Sequence, residues 1–167
     1  MYYADASRVC LEPCVPYGWQ FPDEDVFMPS AKGKGLNCFG LLTRTNKLMF
    51  STTTQNINST FVFEYLDRLS FMLEKPTVIV LDNASVHTAK IIQKQRNVWE
   101  ERGLILFYLP PYSPQLNLIE ILWKMLKYYW LKPEDYVEEQ LLFYKITLAL
   151  AAVGSSLNIN FSDLALV

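Results

Sequence analysis

At 167 residues, 51% of them apolar, the chain is long enough to bury one core and too apolar to remain disordered. A formal charge of −2 and an isoelectric point near 5.4 give no support for nucleic-acid binding by the chain as a whole, so any such contact would have to rest on local basic stripes. Cys10, Cys14 and Cys38 lack the spacing of a disulfide framework or a zinc site, and the apolar run over 141–153 is broken by Lys145 and too short to span a bilayer, so reduced thiols, a cytosolic setting and no membrane segment are expected.

Residues 1–5, Met-Tyr-Tyr-Ala-Asp, predict a first strand that leads to Asp5 and ends there. From Ser7 to Gly35 the pattern is irregular, with Pro13, Pro16, Pro22 and Pro29, which predicts a long loop or short hairpin extension. Residues 36–42 and 47–53 read as a hairpin turning at Thr43-Arg44-Thr45-Asn46 and completing a three-strand meander. Asn58 or Ser59 caps a helix that carries Val62, Leu66, Leu69 and Leu73 at helical spacing and ends before Pro76. Residues 77–81 are continuously apolar, as in a strand buried on both faces, and Asp82 stands where that strand ends. Ser85 or Thr88 caps a second helix with Ile91, Ile92, Val98 and Trp99 inward and Gly103 as its stop. Residues 104–108 form a fifth strand, and Pro114 opens a long amphipathic helix with Leu116, Ile119, Trp123, Leu126 and Trp130 facing inward. Residues 132–135 break that helix. A last one, from about Tyr136 to Val153, is apolar on most faces and is expected to pack against the domain or a partner. These elements predict an α/β fold: a mixed five-stranded sheet, a three-strand meander plus parallel strands with right-handed crossovers, flanked by helices.

In such sheets reactive groups gather at the carboxyl ends of the strands, where this reading places Asp5 and Asp82. With Glu120 from the helix they make a set of three carboxylates suited to a hard divalent cation that keeps positions open for phosphate oxygens. A pair of such ions about 3.5–4 Å apart serves phosphodiester chemistry by activating the nucleophile and stabilising the leaving oxygen. Each acid also has a plain structural reading. Asp82 could cap the turn after its strand, and Glu120 could form an exposed pair with Lys124 contributing roughly 0.3–0.5 kcal/mol. Asn117, Glu120, Lys124 and Lys127 share one helix face, which could follow a phosphate backbone or simply meet water. Lys90 and Lys94, and Lys32 and Lys34 in the long loop, are further candidates for DNA contact. His87, the only histidine, could touch a phosphate, bond near the metal site or serve a structural turn.

The segments Val80-Leu81-Asp82-Asn83-Ala84-Ser85-Val86-His87 and Leu109-Pro110-Pro111-Tyr112-Ser113-Pro114-Gln115-Leu116-Asn117-Leu118-Ile119-Glu120-Ile121-Leu122-Trp123 resemble the catalytic core of Tc/mariner-like insertion-sequence transposases, the DDE superfamily endonucleases. Tyr17-Gly18-Trp19 and the Asn58-Ser59 helix start extend the resemblance over nearly the whole chain. It implies a ribonuclease-H-like fold, a catalytic and metal-binding triad of Asp5, Asp82 and Glu120, and two Mg2+ or Mn2+ ions. It also implies cleavage at transposon ends and attack of the freed 3′ hydroxyl on target DNA, by a homodimer assembled on DNA in a bacterial cytoplasm, at the nucleoid. The catalytic core is then expected over residues 1–132, with 7–35 as a clamp-like loop insertion, and a C-terminal helix and tail over 133–167 packing on the same domain. Two departures stand out. Thirty-seven residues separate Asp82 from Glu120, slightly above the spacing expected for the bacterial branch, and the chain starts at the first catalytic strand, where members carry a preceding helix-turn-helix region. A truncated or domesticated remnant that keeps the fold without activity is the alternative to an active enzyme, and a ribonuclease-H-like nuclease acting on RNA hybrids is a further one that leaves the 110–123 motif unexplained.

Overall fold

A computed structural model describes residues 1–12 and 31–161. Strands β1 (Tyr2–Leu11), β2 (Ala31–Leu42), β3 (Leu48–Thr53), β4 (Thr77–Leu81) and β5 (Leu104–Tyr108) form one sheet in the order β3-β2-β1-β4-β5. The meander pairs are antiparallel, and β4 runs parallel to both β1 and β5.

Because side chains alternate along a strand, each face has its own core. Ala4, Phe39, Leu41, Ile79, Leu81, Leu104 and Leu106 pack on one side with Val62, Leu66 and Leu69 of α1 (Ser59–Ser70) and Ile92 and Trp99 of α3 (Lys90–Glu101). Tyr3, Val9, Cys38, Leu42 and Val80 pack on the other with Ile119, Leu122 and Trp123 of α4 (Ile119–Met125) and Leu142, Ile146 and Leu150 of the C-terminal helix Glu139–Ala151. Asn58 is the cap of α1, its side chain accepting from the Phe61 N–H at 2.9 Å.

Several sequence expectations need correction. The first strand does not end at Asp5: β2 pairs with it from Tyr3↔Leu42 through Asp5↔Gly40 to Leu11↔Ala31, so both ends of the expected 7–35 loop are strand. Residues 13–30 of that loop, including the Tyr17-Gly18-Trp19 segment, lie outside the described residues. The second helix divides at Ala89, whose ψ of 149° is extended, into a short α2 (Ser85–Thr88) and α3. On α3 only Ile92 and Trp99, seven residues apart and therefore on one face, are buried, while Ile91 and Val98 are exposed. The long helix from Pro114 is instead a 3-10 turn (Pro114–Leu116), α4 and a π turn (Leu126–Trp130), because Asn117 takes an extended backbone between the first two. Leu116 is consequently exposed rather than inward.

The last helix, α5 (Glu139–Ala151), starts later than expected because a 3-10 turn, Pro133–Tyr136, precedes it, with the Asp135 carboxylate accepting the Lys132 N–H at 2.9 Å. The segment beyond it is held by the β2–β3 turn. Asn46, at φ 60°, donates through Nδ2 to the Ile159 carbonyl at 3.0 Å and accepts the Ile159 N–H at 2.8 Å. No helix among the described residues is long and apolar enough to cross a membrane.

Candidate metal centre

The parallel register Tyr3↔Val80 builds the site. Both residues face the α4 side, so the residues two further on, Asp5 and Asp82, emerge side by side on that face. β4 ends at Leu81, which leaves Asp82 on the carboxyl edge of the sheet, while β1 continues past Asp5 paired only with β2. Asp5, Asp82 and His87 bring one ligand atom each within 4.8 Å of one another. Glu120, in the first turn of α4, lies outside that group, yet its charge pushes the Asp5 pKa up, and its own pKa is pushed up by burial and by Asp82.

Each carboxylate has its own environment. Burial pushes the Asp5 carboxyl up to about 6; the Ala6 backbone N–H opposes this in part, and repulsion from Glu120 and Asp82 adds to it. Its Oδ2 accepts the Trp123 indole N–H at 3.1 Å. Asp82 goes the other way, held below the usual carboxylate range chiefly by the hydrogen bond from His87. Its Oδ1 receives both the His87 Nδ1 contact at 2.6 Å and the Ala84 N–H at 3.0 Å, so Asp82 caps the turn after its strand and keeps Oδ2 for other work. Glu120 is exposed at its tip, but the shielding it has and repulsion from Asp82 lift it above its ordinary value against the pull of Lys127. It forms no ion pair with Lys124 among the described residues, so the exposed helical pair weighed from the sequence is absent.

The donor set fits a hard divalent cation. Two carboxylates, Asp5 and Glu120, are raised by burial and by neighbouring carboxylates, neither has a cationic partner in an ion pair among the described residues, and a nearby cation would relieve both strains. Local sequence brings α4 close enough. Gly40 stands opposite Asp5, and a Cβ there would lie 3.1 Å from Ile119 Cδ1 and 3.2 Å from the Trp123 ring, so the missing side chain lets α4 rest on the sheet. Asn117 closes the other end of this contact by donating from Nδ2 to the Ala4 carbonyl at 3.2 Å. A cavity of about 360 Å³, bordered by Asp82, Asn83, Pro110 and Tyr112, opens beside Asp82.

The residues considered for DNA contact fall into distinct places. Lys90, Lys94 and Lys124 are exposed and Lys127 is half-buried within electrostatic reach of Glu120. Lys34 is paired with Glu139 at 2.8 Å, and the Lys32 side chain lies outside the described residues. Asn117 does not share the polar face of Glu120, Lys124 and Lys127: it precedes α4 and is only 2% exposed. His87, 1% exposed, faces Asp82 and the Phe39 ring rather than the surface. The polar roles of Trp123 and Asn117 escaped the sequence reading, which placed one on an apolar stripe and the other on a wet face. The available signal was that a buried indole N–H or amide needs an acceptor.

A family profile described as DDE superfamily endonuclease matches residues 1–141. No curated protein sequence matches the chain. Among solved structures it is similar to the Mos1 mariner paired end complex with Mn, at 14% identity and a TM-score of 0.59 over 94% of this chain and 56% of that one. It is also similar to the Mos1 transposase paired-end complex with left transposon end, at 14% identity and 0.57 over 90% and 52%. A third likeness, 16% identity and 0.59 over 82% and 49%, is to the simian T-cell lymphotropic virus intasome in complex with PP2A regulatory subunit B56 gamma. These likenesses establish the fold as ribonuclease-H-like. The chain spans about half the length of the solved chains it matches.

Proposed function

Because this chain belongs to the DDE superfamily endonuclease family, we propose that it is the catalytic core of a transposase, cutting DNA at transposon ends and joining the freed 3′ hydroxyl to target DNA. The observation that carries this reading is the register that sets Asp5 beside Asp82, with the charge of Glu120 acting on Asp5 and that of Asp82 acting on Glu120. Asp5, Asp82 and Glu120 hold divalent cations, two Mg2+ or Mn2+ ions. Such ions supply a nucleophilic oxygen near neutral pH and stabilise charge on the leaving oxygen.

The remaining work falls to side chains. Asp5 and Asp82 present fixed oxygens from the sheet, and Glu120, raised but still reaching solvent, orients the attacking water or hydroxyl and accepts its proton. Lys124 and Lys127, one and two turns after Glu120, hold backbone phosphates flanking the scissile bond, and Lys90 does so from the start of α3. End recognition by a helix-turn-helix region of a longer polypeptide, and dimerisation on DNA, complete the reading.

The test is cleavage of DNA carrying transposon ends, with Mg2+ or Mn2+, by the intact chain and by Asp82→Ala and Glu120→Ala. Each substitution is expected to lower the rate by on the order of 10²–10³-fold or more while thermal unfolding stays cooperative. Cleavage at the parental rate by either variant refutes the assigned site. An intact chain that binds metal and DNA without cutting is instead a remnant that keeps the fold.

A further inference from the structure

Both aspartates of the centre are held by a ring N–H from a buried side chain, and each ring touches one carboxylate oxygen only. Trp123, 3% exposed, donates from Nε1 to Asp5 Oδ2 at 3.1 Å. His87, 1% exposed, places Nδ1 2.6 Å from Asp82 Oδ1, and its Nε2 is buried with no hydrogen-bond partner among the described residues. A bare Nε2 among apolar neighbours such as Phe39 accommodates a lone pair better than an unpaired N–H, so the proton belongs on Nδ1 and His87 is the donor. The two rings reach the pair from opposite layers, Trp123 from α4 across Gly40 and His87 from α2 beside the α1 face.

We infer that Trp123 and His87 are positioning residues which, by occupying Asp5 Oδ2 and Asp82 Oδ1, turn Asp5 Oδ1 and Asp82 Oδ2 toward one shared divalent cation. The inference rests on the metal-site reading above and deepens it. Without the rings, two repelling carboxylates would rotate apart, and a cation would have to order them at its own expense. The arrangement also couples the ligands mechanically. Trp123 lies three residues after Glu120, on the same short helix, so whatever seats α4 on the sheet sets the orientation of Asp5 and the approach of Glu120 together.

The experiment is calorimetric titration of the full chain with Mn2+ at pH 7.5, comparing Trp123→Phe, His87→Leu and His87→Asn. Phe and Leu keep apolar bulk and remove the donor, whereas the Asn amide can stand near Nδ1 and donate in its place. Trp123→Phe and His87→Leu are expected to weaken Mn2+ roughly 10-fold or more, and His87→Asn to recover most of that loss. A merely structural histidine would show no difference between Asn and Leu at matched thermal stability. Unchanged Mn2+ affinity in Trp123→Phe and His87→Leu, while the intact chain binds saturably, overturns the inference and leaves the metal-site reading standing. No binding by the intact chain, with or without DNA, removes both. Should Trp123→Phe fail to fold, the indole resonance of Trp123 in the intact chain decides its part: Asp5→Ala, which removes the acceptor, should move it markedly, and an unmoved resonance refutes the contact.

Discussion

Asp5 is a carboxylate in the wrong place for a protein without a metal, and its pKa makes that testable. Its ordinary value of 3.8 rises to about 6 in the fold. As pH climbs through that window the unfolded chain ionises while the native one stays protonated, so stability is lost between about 4 and 6 and stays lost above it. The difference corresponds to a penalty on the order of 2–3 kcal/mol at neutral pH. Asp5→Asn, which still offers an oxygen to Trp123, should therefore raise the melting temperature of the metal-free protein at pH 7 and make no difference near pH 4. The parent should gain stability from Mn2+ and the variant should not; a scan of melting temperature against pH with and without metal checks both. The same shift predicts that metal affinity in the parent falls as pH drops through 6, with proton release on binding measurable in buffers of different ionisation heat.

At the scale of elements, the contact between α4 and the sheet decides whether Glu120 and Trp123 reach the strand-borne acids. At Gly40 the two approach closely, and Gly40→Val would put carbon where Ile119 and Trp123 already lie. The expected result is about 1–3 kcal/mol of lost stability by denaturant titration, with Mn2+ affinity falling in step. Asn117 is the other anchor. Asn117→Ala removes the donor to the buried Ala4 carbonyl and should cost about 1–3 kcal/mol, with protection of the β1 amides in hydrogen exchange reduced before that of α1 or α3. Helical periodicity led to a polar role for Asn117 because it assumed an unbroken helix from Pro114. The extended Asn117 backbone turns the side chain inward instead, and only the register of the chain against β1 reveals that.

At the scale of the whole molecule, the proposed contact of an acidic chain with DNA has to rest on local groups of cations. If Lys124 and Lys127 hold phosphates, replacing both by alanine should weaken DNA binding for all sequences alike and reduce the slope of log affinity against log salt by about 2; an unchanged slope would assign them to an ordinary solvated face. The five strands along the chain, the hairpin, the Asn58 cap and the separation of the chain into sheet and covering helices were legible from apolar periodicity, glycine and proline, because these are local properties of a chain. The three acids were legible as a carboxylate set for a divalent cation, which the resemblance to a family named as a triad, but Asp5 was read as ending a strand that in fact runs on past it. What only the tertiary structure decided is how they are held: that β1 runs on past Asp5, that His87 is buried against Asp82, and that Trp123 reaches across Gly40 to Asp5. The reason is physical. Parity and propensity fix which face a side chain takes within its own element, but the partner of a buried N–H comes from a residue up to 118 positions away, and that pairing exists only once the layers are stacked.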